Sequence, residues 1–310
     1  MRAADRGALI FVALLWGVNF VAAKAALEAF TLWELRVITF GGAAVLLFVV
    51  ALCTRARLRI ASPRDLIRLL VAGTFGIGGF GLFSALALLH TTAGRATICV
   101  YTMPLWVVLL ARFVLHEPLT AKRMCSLVLG AVGLAILAWP LLGGGEWLGP
   151  VFALAAAVSW AVGTVYLKRI DVDAPPITTT TWQLVAATAV SSVGLVLDPR
   201  DSPFEMTGSA LVGLTYNALL GTVVAYVIWF GLLQRISAGA AGLGSLLVPL
   251  FGVAASFVLL GEIPTIPDIA GLVLILTAAS IPLVTRAAGS DGRVSAVDEV
   301  VGARDERGVV

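Results

Sequence analysis

The sequence predicts an all-α integral membrane protein of ten transmembrane helices, built as two inverted repeats of five. Three observations carry that prediction. The chain has 310 residues, of which 60% are hydrophobic and only 13% charged, against roughly 45–50% apolar and about 25% charged in soluble domains. Its mean hydropathy is +1.01. Apolar runs of about 20 residues, long enough to cross a hydrocarbon core of ~30 Å, recur between short charged connections. The second half of the chain also repeats the first.

The first run, 8–27, contains "WGVNFVAAK", with Asn19 near mid-span and Lys24 near its end. It is long enough to span and lacks a small-residue cleavage site before the next run, so no cleaved leader is expected. The second, 33–53, opens with Glu34 and Arg36 at the depth of Lys24. The third, 66–89, carries "GIGGFG" (76–81). That GxGxxG match lacks the strand-then-helix context of a nucleotide site and reads as close helix packing. The fourth, 96–115, holds Tyr101, Thr102 and Pro104. The fifth, 122–140, follows "HEPLT" (116–120), where Thr120 suits an N-cap and the Glu117 carboxylate suits the helix dipole.

The sixth run, 148–168, carries Trp160 and Thr164 and ends on Lys168; the seventh, 177–197, carries Trp182 and Gln183. The eighth, 208–233, holds Tyr216, Asn217 and Tyr226, and the ninth, 237–260, holds Pro249. The tenth, 265–285, follows "GEIPT" (261–265), where Glu262 and Thr265 repeat the capping pattern. The tail, 286–310, is polar with mixed charge and no aromatic residue, so disorder is expected.

At an offset of 144, Trp16 and Lys24 meet Trp160 and Lys168. "TLWELRVIT" (31–39) meets "TTWQLVAAT" (180–188). From the third run onward the offset is 145: Gly76 meets Gly221, "AGRA" (93–96) meets "AGAA" (238–241), Pro104 meets Pro249, and Glu117 meets Glu262. The repeats are thus 8–140 and 148–285. Five spans is an odd number, so the second copy enters the membrane in the opposite sense. Inverted repeats serve alternating access in secondary transporters, although duplication alone would also enlarge a bundle.

Charge placement sets orientation. Arg2, Arg6, Arg55, Arg57, Arg59, Arg64, Arg68, Lys122, Arg123, Lys168, Arg169, Arg235 and Arg286 fall on one side. The other side holds mainly Arg95 and Arg200, with Lys24 and Arg36 near the boundary. Both termini are therefore expected to be cytoplasmic.

Several polar or helix-breaking residues inside spans are candidates for a solute cavity. Pro104 and Pro249 are expected to kink their helices from within and free a carbonyl, tolerated beside a cavity or buried in protein. Asn19 must face the bundle interior, either lining a cavity or bonding a neighbouring helix. Trp16, Tyr101, Asn217 and Tyr226, with Trp160, Thr164 and Gln183, offer aromatic faces and hydrogen bonds. Lys168 is explained by snorkelling on the basic side. Lys24 lies against the charge rule. It either joins Glu28, Glu34 and Arg36 in an ion-pair cluster, or attracts the carboxylate of a solute.

Other chemistry finds no support. No Asp or Glu occupies the centre of a span, so a mid-membrane carboxylate for proton coupling is not indicated. Cys53, Cys99 and Cys125 stand alone, and two histidines, His90 and His116, are too few for a metal centre. There is no P-loop, no HExxH and no Ser or Cys paired with a base, so no catalytic residue or cofactor is expected. A net charge of +3 gives no reason to expect a nucleic-acid partner.

"WGVNFVAAK", "ELR", Pro104 with "HEPLT", "SWAVGTVYLKR", Pro249 and "GEIPT" together resemble the drug/metabolite transporter superfamily, in its EamA-type branch with two EamA repeats. The resemblance covers about residues 8–285. It implies a secondary transporter of small organic solutes, expected to export amino acids or related metabolites. A channel or scaffold, and an intramembrane enzyme, are the alternatives. The expected partners are a small solute and the lipid bilayer, with a homodimer left open. The expected address is the bacterial cytoplasmic membrane.

Overall fold

A computed structural model describes residues 2–90, 99–138, 147–197, 206–260 and 266–284. The expectations for Arg95, Arg200, Glu262, Thr265 and the tail 286–310 lie outside the described residues. All regular structure among the described residues is helical. Helices α1 (Ala3–Ala26) and α2 (Leu32–Cys53) join at a capping box. There the Thr31 N–H donates to Glu34 Oε2 at 2.8 Å, and the Glu34 N–H donates to Thr31 Oγ1 at 3.3 Å. Two end groups that helix geometry leaves unpaired are thereby satisfied reciprocally.

Helix α3 (63–90) is one rod in three parts, with a π-helical segment, Thr74–Gly79, between Pro63–Gly73 and Phe80–His90. Then come α4 (Met103–Val114), α5 (Ala121–Ala138), α6 (Leu148–Ile170) and α7 (Pro176–Leu197). Helix α8 (Gly208–Arg235) is built like α3, with a π-helical segment, Asn217–Val224, in its middle. Helix α9 comprises Ala238–Gly244 and Leu247–Leu260, and α10 is Ile266–Val284. Among the described residues, seven helices (α1, α2, α3 and α6 to α9) are long and apolar enough to cross a membrane. Large side chains such as Val45, Phe113 and Val212 stand exposed on the bundle's outside, as expected where lipid is the solvent.

The helices pair across the two halves. Helix α2 packs along α7 and α5 along α10, while α1 lies on α8 and α9 and α6 lies on α3 and α4. Exchanging each helix for its repeat partner leaves this set of contacts unchanged. Helices α3 and α6 cross closely. A Cβ on Gly163 would sit 2.2 Å from Gly76 Cα, so α6 tolerates no side chain there, whereas one on Gly76 would meet Gly163 Cα at 3.4 Å, an ordinary contact. This is the close packing expected of "GIGGFG".

The two prolines correct the sequence reading. Neither lies inside an unbroken helix. Tyr101 and Thr102 form a turn, and Pro104 sits in the first turn of α4 that follows it. Ser245 and Leu246 form the equivalent turn ahead of Leu247, with Pro249 again in the first turn. A proline at that position sacrifices no hydrogen bond, because the first N–H groups of a helix have no partner within it. The breaks are closed by tightened turns instead. Thr102 Oγ1 donates to Cys99 O at 2.7 Å, and Ser245 Oγ donates to Gly242 O at 2.6 Å.

One end of the bundle, the basic end, is tied together by polar contacts. Thr178 Oγ1 donates to Arg57 O at 2.7 Å, and Trp182 Nε1 donates to Leu58 O at 3.0 Å. Gln234 Nε2 donates to Ala174 O at 2.8 Å, and Arg235 pairs with Asp5 at 3.5 Å. Lys168 is more than a snorkelling residue, since its ammonium donates to the Leu233 carbonyl on α8. Glu117 departs further from expectation. Thr120 does accept from the Arg123 N–H at the start of α5, but the Glu117 carboxylate serves another helix. It accepts from the N–H groups of Ala238 and Gly239 at 2.9 and 3.3 Å, at the start of α9. Arg123 holds it at 3.0 Å and also donates to Ser237 Oγ at 2.9 Å. This single network joins the two halves at the basic end.

Candidate functional site

The crossing of α1, α3, α6 and α8 is filled by aromatic rings. Trp16 comes from α1, and its repeat partner Trp160 comes from the equivalent position of α6. They stand edge to face with ring centroids 5.4 Å apart. Helix α8 adds Tyr226 and Trp229, which fall on one face of its last segment at a three-residue step. Tyr226 lies 5.8 Å from Trp16 and stacks 6.0 Å from Trp160. Trp229 lies 5.2 Å from Trp16 and 5.9 Å from Trp160. Phe80, the first residue after the π-segment of α3, closes the group 5.2 Å from Trp160. All these separations fall within the range where offset or edge-to-face rings attract.

The π-segments position these rings. A π-turn shifts the hydrogen-bond ladder from four to five residues and leaves carbonyls available to outside donors. Trp16 Nε1 donates to Gly221 O in the α8 segment at 3.1 Å. Ser159, the residue before Trp160, donates to Phe75 O in the α3 segment at 2.7 Å. Each π-segment is therefore bound by the first helix of the opposite half. Tyr216, at the mouth of the α8 segment, donates to Leu15 O at 3.2 Å and fixes the same crossing.

Buried polar atoms without partners surround the rings. Among the described residues, Asn19 Oδ1, Asn217 Nδ2, Trp229 Nε1 and Arg36 Nε are buried and make no hydrogen bond. Asn19 lies one turn beyond Trp16 and presses on Gly221, where a Cβ would come within 2.2 Å of its Oδ1. This departs from the helix-bonding role open to Asn19, because that oxygen bonds nothing. Asn217 opens the π-segment of α8, and its own carbonyl accepts from Thr222 at 2.8 Å. Orphaned buried polar atoms are uncommon in folded proteins and call for a functional explanation.

Arg36 lies beside the rings. Its guanidinium carbon is 5.8 Å from the Phe40 ring centroid. Gly81, next to Phe80, faces both Phe40 and the Arg36 side chain. Arg36 thus stands apart from the expected ion-pair cluster and has no salt bridge among the described residues. Glu28 accepts from Ser209 at 2.9 Å, and Glu34 closes the α2 cap. Lys24 is exposed at the far end.

The structure therefore gathers Trp16, Asn19, Arg36, Trp160, Asn217 and Tyr226 at one crossing. Thr164 is buried one turn beyond Trp160. Tyr101, Pro104 and Pro249 are buried at the helix breaks. Gln183 is spent within its own helix, donating to Thr179 O at 3.3 Å while its backbone packs on Gly73. Sequence reasoning missed Trp229, Phe80 and both π-segments. Among the described residues there is no group of three or more His, Cys, Asp or Glu side chains able to hold a metal ion.

Comparison with known proteins bears on this arrangement. Residues 7–139 and 147–283 each match the EamA-like transporter family. The "Probable amino-acid metabolite efflux pump" of Salmonella typhimurium is 28% identical over 279 residues, spanning 86% of this chain and 90% of its own. The "Uncharacterized transporter YoaV" of Bacillus subtilis is 27% identical over 284 residues, spanning 86% and 92%. A crystal structure matches with a TM-score of 0.77 at 20% identity, over 91% of this chain and 96% of the other. At that identity the match establishes a shared fold.

Proposed function

The chain belongs to the EamA-like transporter family, and on that premise we propose that it is a secondary carrier exporting amino acids or related metabolites. In this reading ten spans form two inverted five-helix repeats, 8–140 and 148–285, which rock to alternate access to a central site. One observation carries the proposal: the first helix of each half binds the π-segment of the other, and the aromatic cluster sits where the two crossings meet. A bundle merely enlarged by duplication has no need to interlock its halves through loosened helices.

Orientation follows from the basic end. Arg55, Arg57, Arg59, Arg123, Lys168 and Arg235 lie there, so both termini face the cytoplasm of a bacterial inner membrane. The Glu117–Arg123–Ser237 network then closes the cytoplasmic side. The amino-acid assignment leans on the name of a relative at 28% identity. Counterflow in proteoliposomes tests the carrier. Vesicles preloaded with each of the common amino acids should accumulate trace amounts of the same labelled solute, saturably, for at least one member of the panel. A channel would give no counterflow, and no saturable uptake of any solute would overturn the reading.

A further inference from the structure

We infer that Arg36 is the anion-receiving group of the central site, and that this site takes a solute bearing a single carboxylate on an apolar body. The inference rests on the carrier reading for the place where solute binds. It deepens that reading by assigning the charge.

A guanidinium inside a span is costly unless it is paired. Arg36 is a half-buried residue one turn inside α2, with its Nε buried and without a hydrogen bond. Among the described residues it has no salt bridge. Its guanidinium faces the ring of Phe40, which steadies a cation but supplies no acceptor. The planar fork of donors matches a carboxylate in two parallel hydrogen bonds. An incoming anion would therefore satisfy donors that the protein leaves unused.

The surroundings restrict the anion further. Arg36 borders Gly81, the residue after Phe80, and Phe80 opens onto the cluster of Trp160, Trp16 and Tyr226, whose faces suit an apolar or aromatic body. Among the described charged residues at this end of the bundle, Glu28 accepts from Ser209, Glu34 closes its cap and Lys24 lies on the surface. One guanidinium balances one negative charge. A monocarboxylate fits that balance better than a dianionic phosphate.

Binding is testable separately from transport. Trp16, Trp160 and Trp229 report on the site, so the purified full-length protein in detergent micelles is titrated with hydrocinnamate and with its neutral amide, hydrocinnamide. Tryptophan fluorescence is the readout. The wild type should quench saturably with the acid and bind the amide at least about 10-fold more weakly, the least expected of one charge-assisted pair. Arg36→Gln should weaken the acid by about 10- to 100-fold and leave the amide within about 2-fold. Arg36→Lys, which keeps the charge but loses the fork, should fall between. Equal affinity of the wild type for acid and amide would overturn the inference whether or not either variant folds. No saturable quenching by the acid, or unchanged acid affinity in a folded Arg36→Gln, would overturn it as well. Counterflow with the amino-acid panel separates the two failures, because a working carrier indifferent to Arg36 refutes only the role of Arg36.

Discussion

Trp16 and Trp160 stand edge to face, 5.4 Å apart, although 144 residues separate them in the chain. Each occupies the same position in its repeat, so their contact lies at the centre of the pairing between halves. The two are not equivalent in their bonds. Trp16 ties its ring to the π-segment of α8 through Nε1, whereas on α6 the corresponding task falls to Ser159 beside Trp160. A pair that is symmetric in position and asymmetric in bonding suits a carrier whose two halves exchange roles.

Truncating Trp16 should therefore separate packing from hydrogen bonding. Trp16→Ala removes a ring that touches Trp160, Tyr226 and Trp229, a loss of about 3–5 kcal/mol by analogy with buried aromatic truncations. Trp16→Phe keeps a ring but leaves the Gly221 carbonyl unbonded, at about 1 kcal/mol. Thermal denaturation in detergent should rank wild type above Trp16→Phe, and Trp16→Phe well above Trp16→Ala. Equal losses in the two variants would mean that the hydrogen bond, and not the ring, holds the crossing.

The Glu117 network predicts a conformational effect. Its carboxylate accepts from two N–H groups at the start of α9 while Arg123 spans to Ser237. Glu117→Ala leaves those N–H groups without an acceptor and frees Arg123. The state open at the basic end should gain population by about 10-fold, the equivalent of about 1.4 kcal/mol. Val107 packs on Gly242 between α4 and α9, behind this network. With Cys53, Cys99 and Cys125 changed to Ser, a Val107→Cys reporter should react faster with a membrane-impermeant maleimide from the basic side once Glu117 is replaced. An unchanged labelling rate would reduce the network to a static clamp.

These contacts also mark how far sequence reasoning reached. Composition and the repeat exposed the membrane class, the helix order and the Trp16–Trp160 correspondence, because each leaves a periodic trace in residue types. Trp229 left no such trace, since its repeat partner is Ser84. The π-segments were invisible because a one-residue shift in a hydrogen-bond ladder changes no side chain. Glu117 suggested a local cap, and its true partners lie more than a hundred residues away, which spacing along the chain cannot report. Pro104 and Pro249 did locate two helix breaks. Each break falls just ahead of the proline, in the turn that releases the chain into a fresh helix.

The glycines sort into two kinds, and substitution should separate them. A Cβ on Gly163 would fall 2.2 Å from Gly76 Cα, against backbone that cannot swing aside. Gly163→Ala should force α3 from α6 and cost about 1–3 kcal/mol or more. Gly7 and Gly42 also lie in helices, but an added Cβ meets nothing within 4 Å. Alanine there should be silent, or stabilise by up to about 1 kcal/mol through helix propensity. Melting temperatures of the three variants, measured side by side, check the ordering. A tolerated Gly163→Ala would mean that the two helices cross less closely than described.

Lys24 and Arg36 give the sharpest contrast, because the sequence singled out the first and the structure favours the second. Lys24 is exposed at the far end of α1, two turns beyond Trp16, whereas Arg36 lies against Phe40 beside the rings. An exposed ammonium is well hydrated, and its pull on a solute is screened within about 10 Å at ordinary salt. Lys24→Ala should therefore change the apparent affinity for carboxylate solutes in counterflow by no more than about 3-fold, a modest loss of steering. That loss should fade as salt is raised. Arg36→Gln should instead weaken the same affinity by at least about 10-fold at every salt concentration, because a buried pair is screened little. A salt-independent loss in Lys24→Ala would return the carboxylate to Lys24 and move the solute's anionic end out of the aromatic crossing.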